Sequence, residues 1–192
     1  EYKVSDIRFK VEKHNYPIDL ESPFIARDYI KCIVCGRCVL VCKDVQYNDV
    51  YCYSKRGFST KISTAFERQL EKSNCVFCGQ CVAVCPTGAL VEKQRNGKGR
   101  TWEFKKVSSV CPYCGVGCNI TLNVKNNKIV YVAGRDSGVV NNGWLCVKGK
   151  FGFEFVNSPD RLKKPLIRVK DKPSGLDGFR EASWEEAISL IA

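Results

Sequence analysis

Methionine is absent from all 192 residues, and histidine occurs once, at His14. Ordinary usage would give roughly four methionines in a chain of this length. No run of apolar residues approaches 18, so nothing in the sequence spans a membrane as a helix. The first ten residues, Glu1–Lys10, are charged and have no apolar core of the signal-peptide kind. With one histidine, zinc sites of the mixed cysteine–histidine type have little to draw on. The missing methionine, and a chain that stops at SWEEAISLIA just as Ser183 and Glu186 open a helix, read as part of a longer polypeptide.

Cysteine, by contrast, occurs thirteen times. In a small secreted protein that number would suggest disulfides. The odd count, the charged N-terminus and the clustering of twelve of the thirteen point instead to metal chemistry in a reducing, cytoplasmic compartment. The formal charge of +11 first suggests nucleic acid. Each four-thiolate [4Fe–4S] site carries about −2, however, and three of them would bring the total to roughly +5. The basic residues are scattered rather than massed, so no nucleic-acid partner is expected.

Residues 31–42 read KCIVCGRCVLVC and residues 74–85 read NCVFCGQCVAVC, followed by Pro86. The offset is 43 at every matching position, the mark of an internal duplication. Each run is C-x2-C-x2-C-x3-C. Three thiolates on one tight loop can grip three corners of a cubane. The fourth, carried off on a short helix, points away and serves the other cluster. That crossing assigns Cys32, Cys35, Cys38 and Cys85 to one [4Fe–4S] cluster, and Cys75, Cys78, Cys81 and Cys42 to a second. Gly36 and Gly79 stand where the loops must turn sharply. Val39, Leu40, Val41, Val82, Ala83 and Val84 are the expected apolar shell. Zinc fits poorly, because its sites pair two C-x2-C knuckles across a longer gap. The first run ends Cys42-Lys43, without the proline that succeeds Cys85, and the segment between the runs holds strand-like QYNDVYCY and RGFSTKIST. Cys52, in that segment, reads as a small buried hydrophobe. His14 reads as a surface residue with no ligand role.

A domain boundary is expected near residue 100, in the basic, glycine-containing link after Pro86. Beyond it TWEFKKVSSV reads as a strand. NITLNV, the Asn126-Asn127 turn and KIVYVAG read as a β-hairpin. The remaining cysteines form C-x2-C-x3-C-x27-C: Cys111, Cys114, Cys118 and Cys146. The hairpin folds out and returns the chain, making a self-contained four-thiolate site. Zinc remains open there by chemistry alone. The x3 gap and the glycines favour a third cubane.

VCPYCGVGCNI, NNGWLCVKG, SPDRLKKPLIR and ASWEEAISLIA together resemble the N-terminal [4Fe–4S] segment of molybdopterin oxidoreductases, over residues 107–192, and within these are most similar to formate dehydrogenase catalytic subunits. SPFIARDYIKCIVCGRCV through NCVFCGQCVAVCPTGAL resembles the double-cluster ferredoxin domain fused ahead of that segment. The same module occurs in iron-only hydrogenases, whose own cluster-binding motifs are absent here, and in the large iron–sulfur subunit of NADH dehydrogenase.

The resemblance implies an α+β chain: residues 1–100 a bacterial-type double-cluster ferredoxin-like domain with an N-terminal extension, residues 101–192 a small β-rich [4Fe–4S] domain truncated at its C-terminal end. It implies the electron-transfer portion of a formate dehydrogenase. A molybdenum or tungsten bis-molybdopterin guanine dinucleotide would sit in the part beyond residue 192. The electron-accepting partner would be an iron–sulfur, flavin or hydrogenase-type subunit. It also implies that Lys148, just past Cys146, lies between cluster and pterin; a solvated lysine in a basic loop is the bland alternative. The formate-oxidising residues of that family fall outside this sequence. The competing reading is a non-catalytic iron–sulfur subunit of an NADH dehydrogenase- or hydrogenase-type complex.

Overall fold

The computed structural model describes residues 6, 14–170, 172 and 175–192. Most of the charged N-terminal stretch Glu1–Lys10 therefore lies outside the described residues. In chain order the elements are β1 (Ile25–Arg27), α1 (Arg37–Leu40), β2 (Tyr51–Ser54), β3 (Lys61–Thr64), α2 (Gln80–Ala83), β4 (Leu90–Glu92), β5 (Lys105–Val110), β6 (Asn119–Lys125), β7 (Lys128–Gly134), α3 (Val147–Phe151), β8 (Leu166–Arg168), β9 (Phe179–Glu181) and α4 (Trp184–Ile191). Small helices and short strands are mixed along the chain, an α+β arrangement. Among the described residues, no helix is long and apolar enough to cross a membrane.

The chain divides into two compact units, Glu1–Glu154 and Phe155–Ala192. In the first, β1 pairs antiparallel with β4, setting Ile25 opposite Glu92 and Arg27 opposite Leu90. The pair brackets both cysteine runs, so closing it brings residues on either side of the repeat together. Between the runs, β2 and β3 form an antiparallel ribbon with Tyr51 opposite Thr64. Ile25, Val41, Tyr51, Ile62, Leu70 and Leu90 form the core around which Cys42 and Cys81 are buried. Val41 belongs to it, and Val39, Val82 and Val84 pack on its margin. Leu40 and Ala83 do not: both are exposed. A four-residue helix has room to bury one face only, and these two lie on the other.

β5, β6 and β7 form a three-stranded antiparallel sheet. The β6–β7 hairpin turns at Asn126 and Asn127, with φ of 51° and 58°. That left-handed pair is what a two-residue hairpin turn of this hand requires, and asparagine tolerates it. A helical turn over Thr101–Glu103 precedes β5. The expected strand therefore begins only at Lys105, because Glu103 turns back to accept the N–H of Arg100 at 3.1 Å. Beneath the sheet Ile120, Val132, Leu145 and Phe153 form a second core that includes Cys111.

The second unit pairs β8 with β9, Leu166 opposite Glu181. Ser183 caps α4, its hydroxyl accepting the N–H of Glu186 at 3.1 Å. The Glu186 carboxylate pairs with Arg180.

Candidate metal centre

The cysteine runs have the same local backbone. In the first, the N–H of Val34 donates to Cys32 Sγ at 3.4 Å. In the second, the N–H of Phe77 donates to Cys75 Sγ at the same distance. Val34 and Phe77, 43 residues apart, both have positive φ, 55° and 51°. Gly36 and Gly79 both have φ of 75° and open α1 and α2. A side chain in that conformation is strained. The sharp turn wraps three cysteines around one point and starts the helix that carries the fourth away.

Cys32, Cys35, Cys38 and Cys85 line one pocket, together with Ile33, Tyr51, Ile62, Ala89 and Leu90. Cys42, Cys75, Cys78 and Cys81 line another, with Ile25, Val50, Tyr51 and Phe77. Each pocket thus holds three thiols of one run and the last thiol of the other. Tyr51 stands in both, and its hydroxyl is 3.8 Å from Cys81 Sγ.

The thiols differ in environment. Burial pushes Cys81 far above the ordinary thiol value and Cys38 up to about 11. Burial likewise raises Cys75 and Cys78. Burial also opposes ionisation of Cys85, but the main-chain N–H groups of Leu90, Thr87 and Ala89 outweigh it and bring that thiol below its usual value. Buried, protonated thiols become ligands only when a metal displaces the proton.

The third group lies at the edge of the three-stranded sheet. The N–H of Cys111 donates to the carbonyl of Cys118 at 2.9 Å, closing the loop between them. Burial raises Cys118, and Cys111, Cys114 and Cys146 add to the effect. Cys146 arrives as the residue before α3. Asn141 fixes that approach. Its side-chain oxygen accepts the N–H of Asn119 at 2.8 Å, and its amide donates to the carbonyl of Trp144 at 2.7 Å.

The three groups are contiguous. Tyr51 lines both four-cysteine pockets, and Gly79, beside Cys78, packs against Lys150 and Phe151 of the helix that follows Cys146. A buried ion pair holds this contact. Lys150, on α3, meets Glu92 of β4 at 2.6 Å and donates to the carbonyl of Val132 in β7 at 3.0 Å. Both side chains are nearly buried, at 7% and 3% exposure. Gln80, on α2, adds a bond from its side-chain amide to the carbonyl of Leu145. Sequence reasoning missed Lys150, Glu92, Gln80 and Asn141. A lysine in a basic loop reads as solvated, and only the glycine beside it, which must pack 3.5 Å from Cys111 Sγ if given a side chain, hints otherwise.

Lys148, on the same helix, is exposed. Cys52 is exposed as well, contrary to expectation. The buried residue of β2 is Tyr51, at 3%, and its neighbour in an extended strand points the other way. His14 is half-buried, stacked on Tyr16 and tilted against Phe58, with Nε2 2.8 Å from the carbonyl of Phe58.

The donor sets fit iron–sulfur clusters. The first two are four thiols around an apolar-walled space with main-chain N–H groups aimed at sulfur, and the third is four thiols with Cys114 and Cys146 exposed. Among the described residues no three Cys, His, Asp or Glu side chains converge on one metal ion. A cubane does not ask for such convergence, since each of its four irons takes one thiolate.

Comparison with known proteins is consistent with this chemistry. Residues 22–91 match the ferredoxin-like domain of NADH-quinone oxidoreductase subunit 3. Residues 104–158 match the molybdopterin oxidoreductase Fe4S4 domain. The alpha subunit of the NADPH-Fe(3+) oxidoreductase of Geobacter sulfurreducens is 40% identical over 91% of this chain and 19% of its own length. NADH-quinone oxidoreductase subunit 3 of Thermus thermophilus is 34% identical over 96% of the chain and 22% of its own length. The putative formate dehydrogenase YrhE of Bacillus subtilis is 34% identical over 91% of the chain and 21% of its own length. The chain spans about a fifth of the length of these curated relatives. It carries a ferredoxin-like and a molybdopterin oxidoreductase Fe4S4 domain, both of them cluster-binding electron-transfer modules.

Proposed function

We propose that the chain is the three-cluster electron relay of a molybdenum or tungsten formate dehydrogenase. Cys32, Cys35, Cys38 and Cys85 would hold the first [4Fe–4S] cluster, Cys42, Cys75, Cys78 and Cys81 the second, and Cys111, Cys114, Cys118 and Cys146 the third. The observation that carries the reading is that the thiol groups adjoin: Tyr51 lines both four-cysteine pockets, and Gln80, beside Cys81, bonds the carbonyl of Leu145, beside Cys146.

A bound cluster supplies one-electron chemistry in which no bond to substrate forms or breaks. The residues bind, position and exclude water. Ile33, Ile62 and Leu90 wall the first site and Ile25 and Val50 the second. Lys150 and Glu92 fix the third site against the second. Lys148, exposed two residues past Cys146, is free to reach a pterin held by the rest of the polypeptide. Formate oxidation, or its reverse, would take place there. Electrons would enter at the third site and leave at the first, towards an iron–sulfur or flavin partner subunit.

A second reading, a non-catalytic subunit of an NADH-quinone oxidoreductase-type complex, draws on the match of residues 22–91 and on the Thermus thermophilus relative. Metal analysis of the full-length protein, purified without oxygen, separates the two. About twelve iron and twelve sulfide per chain with molybdenum or tungsten, and formate-dependent bleaching of the cluster absorbance, are expected. Twelve iron without either metal, and no response to formate, would favour the second reading. About eight iron with one zinc would break the relay at its third site.

A further inference from the structure

We propose that Arg27 sets the reduction potential of the group held by Cys32, Cys35, Cys38 and Cys85, by presenting a buried positive charge and an unused N–H to that site. The inference rests on the reading of those cysteines as cluster ligands.

Arg27 ends β1 and its side chain is 6% exposed. It lines the pocket of Cys32, Cys35, Cys38 and Cys85. Its Nε donates to Asp19 Oδ2 at 2.8 Å, and Nη2 donates to the same oxygen. Main-chain bonds of 2.9 Å in both directions between Asp19 and Arg27 hold the two residues opposite each other. Among the described residues, Nη1 has no acceptor although it is buried. An unpaired buried donor is costly, so a group that accepts from it is the natural complement. Cluster sulfide and cysteine thiolate are acceptors of that kind.

The ion pair is oriented. Asp19 is 20% exposed and lines a surface pocket, whereas Arg27 lines both that pocket and the pocket of Cys32, Cys35, Cys38 and Cys85. The cation therefore stands between the cysteine pocket and the surface, with the carboxylate on its outer side. Other charges nearby are already partnered or solvated. Asp28 pairs with Lys31 at 2.8 Å, and Lys61 pairs with Glu67 at 2.9 Å. Arg27 also lowers the proton affinity of Cys75 and Tyr51, so its field reaches the second site as well.

Adding one electron makes a four-thiolate cluster site one charge more negative, with no proton or bond exchanged. A fixed cation stabilises that product and raises the potential. Removing the cation lowers it, and removing the opposing carboxylate raises it further. The sign therefore reverses between Arg27→Gln and Asp19→Asn, which loss of packing cannot do.

The test is a redox titration of the full-length, cluster-loaded protein with dithionite, followed by electron paramagnetic resonance, with iron and sulfide counted first. Arg27→Gln is expected to make reduction of the first site about tenfold less favourable, about 59 mV for one electron. Asp19→Asn should move it the opposite way and Arg27→Lys should leave it near wild type, with the third site unmoved in all three. An unchanged first site at full iron count, or shifts of the same sign in Arg27→Gln and Asp19→Asn, overturns the proposal. If Arg27→Gln loses iron, Asp19→Asn against Arg27→Lys decides on the same signs. A wild-type protein with no cluster at this site defeats the ligand assignment itself, and this inference with it.

Discussion

At an offset of 43 the two cysteine runs share a turn, a left-handed glycine and a four-residue helix, and then they part. After the first, the chain continues through a wider helical turn over Val41–Val45, which buries Cys42. After the second, Pro86 comes directly after Cys85 and the chain extends towards β4. Pro86 has no N–H to give to a continuing helix. Lys43, in the equivalent place, has one, and the helix runs on. The main-chain donors of Thr87, Ala89 and Leu90 are thereby left for Cys85, while Cys42 receives one from Val50 at 3.3 Å. The duplicated loops supply the same three-point grip. The residues immediately after each run set how its fourth thiol is buried and held.

The most severe way to break this comparison is to remove the fourth cysteines one at a time. Cys42→Ala should cost about four of the twelve iron atoms and remove the signal of the site lined by Cys75, Cys78 and Cys81. Cys85→Ala should instead remove the signal of the site lined by Cys32, Cys35 and Cys38. Iron counting with electron paramagnetic resonance reads both. Loss in each variant of the cluster of its own run would sink the crossed assignment.

Next in size is the buried pair that fastens the repeat to the third group. Lys150→Ala leaves the Glu92 carboxylate buried without a partner, and the expected loss of stability is about 3–5 kcal/mol. Chemical denaturation measures it. Replacing both residues with methionine should recover most of that loss. The double variant tests whether charge or mere volume holds the contact.

Much of this is open to reading in the sequence. The hairpin at Asn126-Asn127, the strands between the runs and the cap at Ser183 arise from local chemistry, which neighbouring residues carry. The glycines at 36 and 79 stand out because a sharp turn needs them. What escapes is long-range. Lys150 and Glu92 are 58 positions apart, and each alone reads as a surface charge. Arg27 does not stand out in the sequence, and the pairing of β1 with β4 encloses it. Leu40, Ala83 and Cys52 are expected inside on composition, but their elements are too short or too narrow to bury two faces. Periodicity states which residues share a face, and only tertiary packing states whether that face is covered.

A gentler change sharpens the comparison of the runs. Both glycines have the same φ, so both alanine variants carry the same backbone strain, about 1–2 kcal/mol. Their surroundings differ. A methyl at Gly36 meets the hydroxyl of Tyr53, the far end of a side chain that is 55% exposed and can swing away. A methyl at Gly79 meets Lys150 Cγ at 2.9 Å and the ring of Phe151 at 3.0 Å, both in the buried helix beside Cys146. Gly79→Ala is therefore expected to be the more destabilising, and to perturb the third site as well as the second. Equal losses in thermal unfolding would mean that the α3 contact is softer than its burial implies.

The smallest effect belongs to the thirteenth cysteine. Cys52 lies between the runs, exposed on β2, and its Sγ sits 3.5 Å from the carbonyl of Ser63 across the ribbon. It lines neither of the two cysteine pockets. Serine preserves the bond to Ser63 and removes the thiol, so Cys52→Ser should change stability by no more than about 0.5 kcal/mol. Iron should stay at about twelve per chain. The informative form is the double variant with Cys42→Ala. A thiol on a neighbouring strand can replace a lost ligand if the backbone yields. Cys52 precedes β3 on a two-stranded ribbon held by its own pairing and by the buried Tyr51 and Ile62. If Cys42→Ala alone retains a weakened second cluster, and the loss becomes complete when Cys52→Ser is added, Cys52 was standing in for the missing ligand. If the two variants lose the same iron, the ribbon is held too firmly by the buried Tyr51 for its neighbour to turn inward. The second result is expected, because turning Cys52 inward would expose a ring that is 3% accessible and lies against both cysteine pockets.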